Sequence, residues 1–262
     1  MSLGMSAGTG EAGEAIRAED IVKSFGHVVA LNGVSMHVAR GETLGILGDN
    51  GAGKSTLIKI LTGYHQPDSG QIYVDGNPVQ LHSVDEARAL GIECVYQDLA
   101  LVNGLSIYHN MFLKRELLWG GPLKLLDHGA MRRRARTALE EIGIHVASVD
   151  LEVGQLSGGQ RQAIAVARAV MSDARILLLD EPLAAMGARE ARLIIDLIDR
   201  LKARGDIAIV MIAHNYAQTL EICDRVMLVQ HGEITYESAA HTTSAAELLD
   251  IVRREYRAAR AG

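Results

Sequence analysis

The segment Thr43-Leu-Gly-Ile-Leu-Gly-Asp-Asn-Gly-Ala-Gly-Lys-Ser-Thr56 runs from a short aliphatic strand, through a glycine-rich loop, into an apolar-periodic stretch ending at Gly63. Within it, Gly48, Asp49, Asn50, Gly51, Ala52, Gly53, Lys54 and Ser55 satisfy G-x-x-x-x-G-K-[ST], placed after a strand and at a helix start, where the pattern has physical meaning. Glycines let consecutive backbone N–H groups curl around phosphate oxygens, and the helix N-terminus adds partial positive charge there. Lys54 then reaches outer phosphates, the Ser55 hydroxyl suits Mg²⁺, and Thr56 completes the loop-to-helix junction. The competing interpretation is an ordinary glycine turn before a helix. By itself the loop predicts nucleotide binding without separating kinase, GTPase and transport ATPase.

A second strand, Arg175-Ile-Leu-Leu-Leu-Asp180-Glu181-Pro182, carries four consecutive aliphatic residues, the mark of a strand buried on both faces. Its acidic end belongs at the ligand-binding edge of an open α/β sheet, where Asp180 would serve Mg²⁺ and Glu181 the attacking water. A solvated acidic turn is the alternative. Leu156-Ser157-Gly158-Gly159-Gln160 opens an Ala-rich helix, with Ser157 as N-cap and two glycines permitting close approach to exposed N–H groups. One nucleotide's phosphates already have a cradle at 48–55, so this second anion site is expected to serve a nucleotide held by another subunit.

Around these motifs, aliphatic runs at 91–96, 207–213 and 225–229 alternate with helical patterns, which predicts a mainly parallel sheet covered by helices. Two β-rich pieces, Ala15–Lys23 and Val34–Val38, and a hairpin arm at Gly70–Gly76 predict an antiparallel component. From about Ala100 to Gln162 the pattern becomes almost wholly helical, with Ala135, Leu139 and Ile142 on one side, and reads as an inserted lobe. Residues 1–15 are small, Gly-rich and patternless and are expected to form a flexible tail. Past Tyr236 a short linker is expected before an amphipathic helix over Ala245–Arg260.

The three motifs together resemble the nucleotide-binding subunit of ATP-binding cassette (ABC) transporters, over nearly all of Ile16–Tyr236. LSGGQ is that family's signature. The resemblance implies an α/β fold of the P-loop NTPase (RecA-like) class, with a mainly parallel core, an antiparallel β subdomain and an inserted helical subdomain at about 100–162. The nucleotide-binding domain is then 16–240 and the C-terminal extension 241–262. The resemblance implies ATP and Mg²⁺ as cofactors and a head-to-tail homodimer sandwiching ATP, with Ser157, Gly158, Gly159 and Gln160 contacting the partner's nucleotide. Lys54, Glu181 and His214 are the implied catalytic residues, and Ser55, Gln97 and Asp180 the implied metal-site residues. Gln97 matches the family's Q-loop glutamine and His214 its switch histidine. Phe25 holds the place of the aromatic that stacks on adenine, against the alternative of a core aromatic. In one departure, Gly187 stands where the loop after Glu181 usually carries an aspartate; in another, Leu183 replaces a small hydroxyl residue.

The stretches YHQPDSG, VYQDLALV and NMFLKRE resemble the ATPases of monosaccharide importers of the ribose, xylose or fructose kind, many of which carry two cassettes where this chain has one. Implied partners are integral-membrane permease subunits and, through them, an extracytoplasmic sugar-binding protein. The expected location is cytoplasmic, peripheral on the inner face of the membrane.

Across 262 residues the formal charge is −6, so no general field attracts nucleic acid, and a soluble ABC-type ATPase acting on nucleic acid or ribosomes is the second reading. The arginines of Met131–Arg136 and those at 253, 254, 257 and 260 have acidic neighbours, as solvated helix faces do. Cys94 and Cys223 form no CxxC pair, which excludes a zinc ribbon or a disulfide framework and fits a reducing compartment. Ile207–Ala213, the longest apolar stretch, is far short of the roughly 20 residues a membrane helix needs.

Overall fold

A computed structural model describes residues 13–120 and 124–261, with side chains to residue 255. Two sheets organise the chain. The first is antiparallel, in the order β2-β1-β4-β5, from Val28–Ala39 (β2), Glu14–Phe25 (β1), Ser69–Val74 (β4) and Asn77–Val79 (β5). The second has six strands in the order β10-β9-β3-β8-β7-β6, namely Glu233–Ala239, Arg225–Gln230, Thr43–Leu47, Ala208–Ile212, Ile176–Asp180 and Ile92–Val95. Its neighbours are parallel except for the antiparallel β9–β10 pair.

Strand alternation divides the aliphatic runs between two cores. On β7, Leu177 and Leu179 face the layer of Lys54-distal helices, while Ile176 and Leu178 face the side covered by the antiparallel sheet. On β8, Ile209 and Met211 go one way and Ala208, Val210 and Ile212 the other. Such strands must be aliphatic throughout, because neither face meets water. The helices in chain order are Lys54–Leu61 (α1), Val84–Ala89 (α2), Ile107–Phe112 (α3), His128–Glu141 (α4), Gly158–Val170 (α5), Ala188–Arg204 (α6), Tyr216–Ile222 (α7) and Ala245–Ala261 (α8). On α4 the buried residues Met131, Ala135 and Leu139 repeat every four positions, and Ile142 continues the stripe.

Several elements differ from the sequence expectations. The first two β pieces are one hairpin of 12-residue strands turning at Gly26–His27, longer than expected because register shifts interrupt the in/out alternation and Val28 and Val29 face solvent. The stretch 100–162 is less helical than its pattern: α3 has six residues, and the described residues of 113–127 and 142–157 hold only isolated bridges (Leu118↔Leu126, Ser106↔Glu152) and one short 3₁₀ turn. Left-handed backbone at Lys114, Lys124 and Gly143 breaks the helix there. The linker expected past Tyr236 instead begins with the end of β10, whose alternately exposed residues give no apolar run although β9 pairs with all of them but Thr235. The tail expected over 1–15 lies outside the described residues up to position 12, and β1 already begins at Glu14. Both thiols are free; burial pushes Cys223 up to about 12 and raises Cys94 as well, so both are poor nucleophiles.

Candidate active site

The loop 48–53 joins β3 to α1. Gly48 has φ 146° and Gly53 φ 108°, angles that L side chains rarely adopt. Space excludes a side chain too: a Cβ at Gly48 would lie 2.2 Å from the Val229 carbonyl oxygen, and one at Gly53 2.4 Å from that of Ala30. The Gly232 N–H donates to Ala52 O (3.0 Å) and the Asn32 N–H to Gly232 O (2.8 Å), so the β9–β10 turn and β2 brace the loop from behind. Gly53→Ala is therefore expected to destabilise the fold by about 1–3 kcal/mol, the scale of a strained backbone, read as a lowered Tm; an unchanged Tm would contradict the cradle geometry.

No side chain caps the α1 N-terminus, which leaves its first N–H groups to the loop's concave face. The Lys54 side chain is buried, and its Nζ donates to Gly48 O (2.6 Å) and Asp49 O (2.8 Å). Desolvation lowers the Lys54 pKa, partly offset by the negative charges of Glu181, Asp49 and Asp180. Asp49, Asn50, Gly51 and Ser55 are exposed, Thr56 half-buried and Ala52 buried.

The order β3-β8-β7 sets three strand ends side by side. Asp180 ends β7 half-buried, and its carboxyl is pushed up by burial and by Glu181, against Lys54, Lys59 and His214. Glu181 follows in the left-handed region (φ 52°) with its N–H donating to Ile212 O (3.0 Å). That turn aims its side chain at His214, two residues past β8, where Glu181 Oε1 and His214 Nε2 are 2.5 Å apart. Both line a cavity of about 260 Å³ with Leu183, Met186 and Asn215. Gln97 is exposed two residues past β6, the strand next to β7, and so belongs to the same sheet edge.

Phe25 is 44% exposed at the tip of the first hairpin, with an edge-on contact to His65 (5.2 Å between centroids) and Lys23 Nζ 5.6 Å from its ring. The core alternative for Phe25 is thereby removed. Ser157–Gln160 stand apart from this edge. Ser157 Oγ accepts from the Gln160 N–H (3.3 Å) and Gln160 Oε1 accepts from the Ser157 N–H (3.0 Å), a capping box on α5. The hydrogen bonds of 157–160 run within this helix start and to Glu190 of α6.

Glu190 on α6 was not singled out from the sequence. Its carboxylate accepts from the Gly159 N–H (3.3 Å) and the Gly187 N–H (3.4 Å), and the Gly159 contact leads the interactions that hold its pKa down. The only local signal is its position three residues into α6, a helix start without a Ser, Thr, Asp or Asn cap.

A family model described as ABC transporter matches residues 31–184, more than half of the chain. The chain belongs to the ABC transporter family. This cassette is 43% identical to the xylose/arabinose import ATP-binding protein of Sulfolobus acidocaldarius, over 90% of its own length and 93% of the relative's. It is 42% identical to the fructose import ATP-binding protein of Rhizobium meliloti, over 83% and 85% of the two chains. With the ribose import ATP-binding protein of Chromobacterium violaceum the identity is 41% over 81% of the cassette, which spans about two fifths (41%) of that protein. Among solved structures, an ATP-binding cassette of an ABC transporter in its ADP conformation superposes with TM-score 0.78 at 28% identity, over 90% of this chain and 94% of that one. A nucleotide-free cassette gives 0.77 at 27% identity, over 92% and 95%. The cassette is thus an ATP-hydrolysing enzyme of the P-loop NTPase fold. Among its described residues no helix is long and apolar enough to cross a membrane.

Proposed function

We propose that this cassette is the energy-coupling ATPase of a monosaccharide importer, working as a homodimer beneath integral-membrane permease subunits and supplied with sugar by an extracytoplasmic binding protein. The names of its relatives support sugar import, and the location this implies is cytoplasmic, on the inner face of the membrane. The observation that carries the ATPase mechanism is the convergence of Lys54, Asp180, Glu181 and His214 at one sheet edge, with Glu181 and His214 2.5 Å apart. No comparable observation favours a role on nucleic acid.

In this reading residues 48–56 hold the phosphates, Lys54 releases its two carbonyls to reach the outer ones, and Phe25 stacks on the base. Ser55, Asp180 and Gln97 are suited to Mg²⁺, since all offer oxygen. Among the described residues no cluster of three His, Cys, Asp or Glu forms a cage, which fits a cation that takes its other ligands from phosphate and water. Bound there, Mg²⁺ supplies charge neutralisation of the phosphates. Glu181 Oε takes the proton of a water whose oxygen bonds to the terminal phosphorus as the bond to the ADP oxygen breaks. His214 fixes the Glu181 carboxylate and lies at the same edge for the terminal phosphate.

The separation of Ser157, Gly158, Gly159 and Gln160 from the loop of their own chain supports their serving a second copy. A Cβ at Gly158 would make no more than van der Waals contact, the nearest atom being Glu190 Oε1 at 3.7 Å, so Gly158→Trp is expected to fold. It should bind ATP as the wild type does yet lose turnover; wild-type turnover would remove the trans arrangement. Transport is tested by reconstituting the cassette with its permease in vesicles and measuring ATP turnover against a sugar panel. Stimulation by a monosaccharide is the expected result, and indifference to every sugar with its binding protein present would overturn the import assignment.

A further inference from the structure

The turn that follows Gln97 is joined to α5 by a contact that neither the motifs nor the mechanism uses. Arg168, in the last turn of α5, sends Nη2 to Leu99 O (2.9 Å) and Nη1 to Ala100 O (3.0 Å), across about 70 residues of chain. Ala100 is left-handed at φ 47°, and its N–H donates to Asp98 Oδ1 (3.3 Å), so this short turn directs successive carbonyls at one guanidinium. Burial lowers the Arg168 pKa, with Glu93 acting the other way. The nearby carboxylate is already engaged: buried Glu93 accepts from Arg115 (2.5 Å) and lies 3.4 Å from Arg88. Arg168 therefore spends its donors on backbone.

Farther along the same segment, fully buried Asn110 of α3 accepts from the Val102 N–H (2.8 Å) and donates to the carbonyls of Val102, Leu105 and Ser106 (3.0–3.1 Å). Residues 99–106 are thus fastened to α5 and α3, while Gln97 and Asp98 remain exposed between them and β6. Ser157 caps the same α5, 11 residues before Arg168, about 16 Å along a rigid helix.

We propose that Arg168 is a positioning residue that makes the Gln97 segment and the Ser157–Gln160 helix start one mechanical piece. A displacement of residues 99–106, for instance by a partner docking on α3, then moves the helix start that serves the other copy's nucleotide. A displacement of α5 likewise moves Gln97 toward or away from its own site. The inference rests on the roles proposed above for Gln97 and for 157–160.

A double-mutant cycle on the full chain tests it, reading ATP turnover, ATP affinity and Tm for Arg168→Ala, Gln97→Ala and the pair. Arg168→Ala is expected to lower kcat at least tenfold while the Kd for ATP stays within threefold, and the pair is expected to be no worse than the stronger single variant. A cavity of about 230 Å³ beside Arg168 admits guanidinium ion, so millimolar guanidinium should restore part of the lost turnover without raising Tm. Arg168→Lys, which keeps the charge and can reach one carbonyl, should recover an intermediate rate even if Arg168→Ala is too unstable to assay. Full additivity of the two losses, or unchanged kcat in Arg168→Ala, overturns the inference alone. Unchanged turnover in Gln97→Ala instead overturns the role given to Gln97, and this inference with it.

Discussion

Replacing Glu181 by glutamine is expected to lower steady-state ATP turnover by about two to four orders of magnitude, the usual contribution of a positioned general base. The amide keeps the size of the carboxylate and one oxygen for His214, so the 2.5 Å contact has a neutral substitute and the turn at φ 52° is undisturbed. What disappears is the site proposed to receive a proton from water. Lys54 and the loop amides are untouched, so ATP affinity should stay within a fewfold of wild type and the ATP-bound dimer should accumulate on gel filtration. Nucleotide-binding and single-turnover measurements separate the two effects. Turnover near the wild-type rate would move the base elsewhere.

Lys54→Met is expected to weaken ATP binding by about tenfold to a hundredfold, the equivalent of the roughly 1.5–3 kcal/mol carried by hydrogen bonds to a charged group. Methionine retains the buried stem, so the loss reports the ammonium. Stability should change far less, within about 1 kcal/mol. In the structure that ammonium is already desolvated, which lowers its pKa, and this is offset only in part by two loop carbonyls and the nearby carboxylates of Glu181, Asp49 and Asp180. Equilibrium titration with a fluorescent ATP analogue reads the affinity and thermal melting the stability; tight binding by Lys54→Met would show that the backbone cradle alone holds the phosphates.

The fold's central strands were legible because burial on both faces demands unbroken aliphatic runs, as at Ile176–Leu179 and Ala208–Ile212. Elements with one wet face were less so. β10 and the far half of the first hairpin mix polar and apolar residues, and only their partners β9 and β1 give them strand geometry. The almost wholly helical pattern expected from about 100 to 162 is interrupted for a related reason: apolar Leu118, Trp119 and Leu126 are exposed around an isolated bridge and pack no helix face.

Sequence by itself determined the chemistry on offer: a lysine and glycines before a helix, two acids after a buried strand, a Ser-Gly-Gly helix start. Those identities are covalent and their local geometry follows within a few residues, so spacing suffices to read them. Tertiary structure alone decided which groups meet. Strand order set Glu181 beside His214 across 33 positions, exposed Phe25, and closed Glu190 onto Gly159 and Arg168 onto Leu99 and Ala100. Each of those contacts depends on how layers pack, and packing joins residues whose separation along the chain carries no periodic signal.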